Sequence, residues 1–113
     1  MKKKILIVYA NYYKDIADEL LDNALNYLQK TYNLNVLNQG IVLIEVPGVF
    51  EIPVTIATRI KDYDGFVALG CVIKGQTPHF DFISKATTDA IMKLSVDYKK
   101  PIGNGIITCL NKK

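Results

Sequence analysis

Short apolar runs alternate along this chain with longer stretches whose apolar residues recur three and four positions apart, and this constrains its fold more than any other feature. Lys4 to Ala10 is an almost unbroken apolar run stopped by Asn11, the pattern of a strand buried on both faces. Tyr13, Ile16, Ala17, Leu20, Leu21, Ala24, Leu25 and Leu28 follow at helical spacing, so an amphipathic helix is expected near Tyr13–Lys30. The polar, Asn-rich stretch Thr31 to Gly40 reads as a loop. Ile41 to Val46 is a second strand, stopped by Pro47-Gly48. Val49 to Lys61 reads as a helix with Pro53 in its first turn, where a missing backbone N–H costs little.

Asp62 to Gly65 turns the chain into a third strand, Phe66 to Ile73, which Gly75 to Pro78 breaks. Phe80 to Tyr98 carries Ile83, Ala86, Ala90, Ile91, Leu94 and Tyr98 on one helical stripe. Pro101 ends it, and Ile102 to Cys109 is a fourth strand, expected to be loosened by Gly103 and Gly105. Strands and helices in strict alternation predict an α/β fold, a parallel sheet of four strands joined by right-handed crossovers. Ligands of such sheets bind beyond the carboxyl ends of the strands.

Composition narrows the function classes. A length of 113 residues, 50% of them hydrophobic and 22% charged, suits one globular domain spanning 1–113. The net charge of +3 owes much to the terminal runs Lys2 to Lys4 and Lys112-Lys113. These read as solvated ends, so no nucleic-acid partner is expected. No apolar stretch is long enough to span a membrane, and the start lacks the apolar region and cleavage site of a signal peptide. Cys71 and Cys109 sit inside apolar runs without metal-ligand spacing. Buried thiols of a cytoplasmic protein are expected, with no disulfide and no metal.

Three segments at strand ends carry residues with chemistry. In Lys74-Gly75-Gln76-Thr77-Pro78-His79, Thr77 and Pro78 suit the start of a helix, whose free N–H groups and dipole favour a phosphate. His79, the only histidine, falls in the first turn of that helix and could move protons near neutral pH. On spacing alone, a capped helix with an incidental surface histidine is the more frequent arrangement. Pro47 to Glu51 offers backbone groups for the edge of a flat heterocycle and a carboxylate for hydroxyls, although Glu is also common in a first helical turn. Tyr12 and Tyr13 follow the first strand and could stack on a ring or close the core equally well.

Two long segments, Val46-Pro47-Gly48-Val49-Phe50-Glu51-Ile52-Pro53 and Leu69-Gly70-Cys71-Val72-Ile73-Lys74-Gly75-Gln76-Thr77-Pro78-His79-Phe80-Asp81, closely resemble the two signature segments of lumazine synthases. The element order agrees along nearly the whole chain. The resemblance implies a flavodoxin-like three-layer sandwich. It also implies a transferase of riboflavin biosynthesis, joining 5-amino-6-(D-ribitylamino)uracil to 3,4-dihydroxy-2-butanone 4-phosphate without metal or redox cofactor. Such enzymes form homopentamers or multiples of them, with each active site between neighbouring subunits.

By the same resemblance, Tyr12 stacks on the pyrimidine, while Val49 and Phe50 hold the uracil and ribityl side through backbone groups. Glu51 binds ribityl hydroxyls, Val72 and Ile73 line the pyrimidine, Gln76 and Thr77 bind phosphate, and His79 transfers protons. Asn104 lies where a neighbouring subunit reaches in. Three departures are visible. Asn11 stands where many members have Arg, and Asn104 where many have an aromatic. The sequence closes at Asn111-Lys112-Lys113, where relatives continue into a helical region bearing an Arg for the phosphate and covering the sheet. This leaves two expectations: a lumazine synthase, or a weakly active or non-catalytic assembly and ligand-binding form of the same core. A receiver domain would need an acidic pair after the first strand, and a flavodoxin a hydroxyl-rich loop there; Asn11-Tyr12-Tyr13 is neither.

Overall fold

The computed structural model describes residues 3–73 and 80–109. Its elements run β1 (Ile5–Ala10), α1 (Lys14–Tyr32), β2 (Ile41–Val46), a 3-10 turn (Val49–Glu51), α2 (Ile52–Ala57), β3 (Gly65–Ile73), α3 (Phe80–Tyr98) and β4 (Ile102–Cys109). The sheet has four strands in the order β2-β1-β3-β4. Every neighbouring pair is parallel, with Ile5 opposite both Ile41 and Gly65, and Phe66 opposite Ile102. The expected parallel α/β fold is therefore the one observed.

Alternation along the strands divides the core in two. On one face Leu6, Val8, Val46, Phe66 and Ala68 pack against Val49, Ile52, Ile56 and Ile91 from α2, α3 and the turn before them. On the other, Ile7, Ile41 and Leu69 pack under Leu28, with Leu20, Leu21, Ala24 and Leu25 of α1 around them. Leu6, Ile7 and Val8 are fully buried in succession, as expected for a strand covered on both sides. The α1 layer draws on β1, β2 and β3; Ile107, on the same side of β4, stays 39% exposed.

Three boundaries depart from the sequence expectation. Helix α1 runs two residues into the expected loop and stops at Asn33, whose φ of 56° is left-handed. The N–H of Asn33 reaches Gln29 O and that of Leu34 reaches Leu28 O, which satisfies the last carbonyls.

The helix expected over Val49–Lys61 is instead a 3-10 turn, the short α2 and a further series of turns. Pro53 has no N–H to give Val49, so the first turn tightens, with Glu51 N–H bonding Gly48 O. After Ala57 the bonds again skip three residues, Arg59 to Ile56, Ile60 to Ala57 and Asp62 to Arg59. Ile52, Ile56 and Ile60 are still all buried, so the apolar spacing was right while the backbone geometry was not.

β4 is continuous through Gly103 and Gly105 rather than loosened there, because the ladder to β3 runs unbroken from Ile102 to Cys109.

Thr87 on α3 is 1% exposed, and its Oγ1 has no hydrogen-bond partner among the described residues. A buried unpaired hydroxyl is destabilising. Thr87→Val keeps the shape and removes the hydroxyl, so it should stabilise the chain by about 1 kcal/mol. Urea unfolding checks this, with loss of stability as the contrary result.

Candidate active site at the carboxyl ends of the strands

Because every strand runs the same way, the segments after β1, β2 and β3 emerge at one end of the sheet. There a cavity of about 370 Å³ is lined by Tyr12 and Tyr13 after β1, Gly48, Val49, Phe50 and Glu51 after β2, Cys71, Val72 and Ile73 of β3, and Ile83 of α3.

Its aromatic wall is well exposed. Tyr12 is 72% exposed and meets Tyr13 edge to face, with centroids 4.9 Å apart and ring planes at 89°. That geometry leaves the face of one ring open to a flat ligand. Burial pushes the Tyr13 hydroxyl above its ordinary pKa of 10.0, and Tyr12 and Cys71 add to the shift. Tyr13 therefore stays protonated through the neutral range. Opposite, Phe50 is half-exposed and lies 6.3 Å from Phe82.

The floor rests on a close approach. Val49 is buried against β3 at Gly70, where an added Cβ would lie 2.5 Å from Val49 Cγ1 and 3.3 Å from Ala10 Cβ. Only glycine lets the 3-10 turn sit this low on the sheet, which places Phe50 and Glu51 at the rim.

The structure thus gathers Tyr12, Val49, Phe50, Glu51, Val72 and Ile73 from separate parts of the chain. Gln76, Thr77 and His79 lie outside the described residues. Asn104 is not brought to this cavity. It lies on β4 opposite Ala68, and its Oδ1 accepts the N–H of Ile106 at 3.0 Å.

Sequence reasoning missed Tyr13 as a firm lining residue, took Gly48 only as part of the Pro47 to Glu51 segment, and did not single out Cys71 or Ile83 for the site. Cys71 and Ile83 carry no chemical signal, since each fits a core pattern. Their position at a strand end and in the first turns of α3 was the only clue.

A larger cavity of about 650 Å³ lies at the opposite end, among Ile5, Leu28, Tyr32, Asn38, Asp64 and Pro101. Two of its polar side chains, Asn38 and Asp64, are bonded within the chain itself. Asn38 Oδ1 accepts from the N–H of Asn35 and of Gly40, and Asp64 accepts from Lys4 N–H at 2.8 Å. Convergent, exposed rings and a carboxylate favour the smaller cavity as the site.

Among the described residues, no group of three or more His, Cys, Asp or Glu side chains could hold a metal ion, and no helix is long and apolar enough to cross a membrane.

The family model described as 6,7-dimethyl-8-ribityllumazine synthase matches residues 2–113. A relative of that name from Bartonella bacilliformis is 45% identical over 113 residues, covering 96% of this chain and 70% of the relative. One from Agrobacterium fabrum is 43% identical, covering 97% of this chain and 75% of the relative. A third, from Methylobacterium nodulans, is 43% identical, covering 93% of this chain and 59% of the relative.

The Gly70 contact generates a prediction. Gly70→Ala should lift Val49 off the sheet, destabilise the chain by about 1–3 kcal/mol and enlarge or distort the cavity floor. Thermal unfolding and a crystal structure of the variant check it; unchanged stability with Val49 in place would contradict the argument.

Proposed function

Because the chain belongs to the 6,7-dimethyl-8-ribityllumazine synthase family, we propose that it condenses 5-amino-6-(D-ribitylamino)uracil with 3,4-dihydroxy-2-butanone 4-phosphate to 6,7-dimethyl-8-ribityllumazine, in riboflavin biosynthesis. The observation that carries this reading is the convergence of Tyr12, Val49, Phe50, Glu51, Val72 and Ile73 on one cavity at the strand ends.

The amine of the uracil attacks the ketone carbon, and water leaves as the imine forms. Phosphate is then eliminated, and ring closure releases a second water. Each step needs protons moved and the partners held, and none needs a change of oxidation state.

Tyr12, with an open ring face, stacks on the pyrimidine. Backbone groups of Val49, Phe50, Val72 and Ile73 contact its edges, and the exposed Glu51 carboxylate binds ribityl hydroxyls. Gln76 and Thr77 hold the phosphate, and His79 carries protons between the imine and the leaving group.

The reading extends to assembly. Phe50, Val54 and Phe82 are each more than half exposed, and Phe50 lies on the cavity itself. Aromatic and apolar side chains so placed favour burial against another subunit. We infer a homo-oligomer, a pentamer or a multiple of one, in which a neighbouring copy closes the cavity and approaches Asn104. The chain is taken as a single domain acting in the cytoplasm, a setting that suits the buried Cys71.

Incubation with both substrates tests the activity. Product absorbance and free phosphate should rise in equal amounts; tight binding of the uracil without turnover would favour the non-catalytic form of this core. His79→Ala should lower kcat by about 10²- to 10⁴-fold while uracil binding changes little. An unchanged rate at several pH values would remove His79 from the proton-transfer role. Analytical ultracentrifugation checks the assembly, where a stable monomer at micromolar concentration would contradict it.

A further inference from the structure

Tyr12, the stacking ring, is 72% exposed at the cavity wall and meets Tyr13 edge to face. What holds its root is on the neighbouring strand. Tyr9 and Glu45 are register partners on β1 and β2, on the face covered by α1. The Tyr9 hydroxyl donates to Glu45 Oε1 at 3.2 Å, and Asn11 Nδ2 donates to Glu45 Oε2. Asn11 is also tied through its backbone, its N–H reaching Val46 O at 3.0 Å. The residue directly before Tyr12 is therefore held to β2 twice, by main chain and by side chain. β2 in turn leads within a few residues to Gly48, Val49, Phe50 and Glu51, the opposite wall.

We propose that Glu45 is a positioning residue of this site, fixing the separation of the Tyr12 wall from the Val49–Glu51 wall by clamping Asn11. The proposal rests on the functional reading above for its effect on substrate, and on geometry alone for the clamp. A carboxylate suits the task because its two oxygens accept from two donors at once, one from each of Tyr9 and Asn11. Burial, with Glu45 beside it, pushes the Tyr9 hydroxyl above its ordinary pKa of 10.0 and keeps it a donor. The nearby Lys14 ammonium, paired with Asp18 at 3.2 Å, also feels the Glu45 charge. Glu45 is bonded to Tyr9 and Asn11 and does not line the cavity, so its effect on the uracil passes through Asn11 and Tyr12.

The test exploits the polarity of the Asn11–Glu45 bond. Asn11→Asp sets two carboxylates against each other at the same shape, and adding Glu45→Gln restores a donor and an acceptor with the order reversed. Asn11→Asp should raise KM for the uracil about fivefold, the scale of one exposed charge interaction. It should leave kcat and KM for the butanone phosphate within about twofold. Amide hydrogen exchange from Asn11 to Tyr13, read without substrate, should quicken several-fold. The double variant should bring both readouts back towards the parent. Parent-like exchange in Asn11→Asp, or a double variant no better than it, would overturn the clamp. Equal rises in both KM values with a lowered Tm would overturn the positioning role in favour of general destabilisation. A parent chain without turnover would overturn the functional reading instead, and the exchange pattern would still decide the clamp.

Discussion

Parallel pairing of β1 with both β2 and β3 is the constraint on which the rest of the structure depends. A parallel neighbour cannot be reached by a hairpin, so each connection crosses a face of the sheet and covers it with a helix. Two consequences follow. The strands become buried on both sides, as Leu6, Ile7 and Val8 show. And the chain leaves every strand at the same end, so that residues far apart in sequence, such as Tyr12, Phe50 and Val72, meet around one cavity. The site is a by-product of sheet polarity before it is a matter of particular side chains.

The particular side chains then decide how deep the cavity is and how firmly its walls stand. Gly70 gives up a side chain in the middle of the most buried strand so that Val49 can reach the sheet. Pro53 withholds the N–H that would have lengthened α2 towards its amino end, which leaves Val49 to Glu51 as a compact turn. Fixed by these two residues, Phe50 and Glu51 project at the rim instead of packing into the core. At the wall from β1, Asn11, the residue before Tyr12, is hydrogen-bonded to Glu45 on β2, which also accepts from Tyr9.

Lys100 shows the same economy at the far end of the sheet. Its ammonium reaches back to the carbonyls of Ile60 and Tyr63, at 2.5 and 2.8 Å. These carbonyls lie at and after the turns that follow α2, where the helix expected from the apolar spacing does not form. A cation from the end of α3 supplies donors where a regular helix would have used its own N–H groups, and it joins α3 to the entry of β3.

Periodicity alone determined the order of elements, the parallel sheet, the face of α1 and that of α3 except at its end, where Tyr98 of the expected stripe is exposed, because burial on a two-sided sheet imposes the same pattern on any chain that forms one. The described parts of the two long motifs fall at the strand ends where the cavity opens, since residues with recognisable chemistry collect where the backbone leaves the sheet. Tertiary structure decided the remainder. The break-up of the expected helix over Val49–Lys61 depends on where Pro53 and the Ile60 carbonyl find or lose partners, which no spacing rule encodes. Cys71 and Ile83 look like core residues in sequence and become cavity lining only once β3 and α3 are placed. The bond from Asn11 to Glu45 joins residues 34 positions apart. Only the register of β1 on β2 brings them side by side, and that register is a property of the packed sheet rather than of either segment.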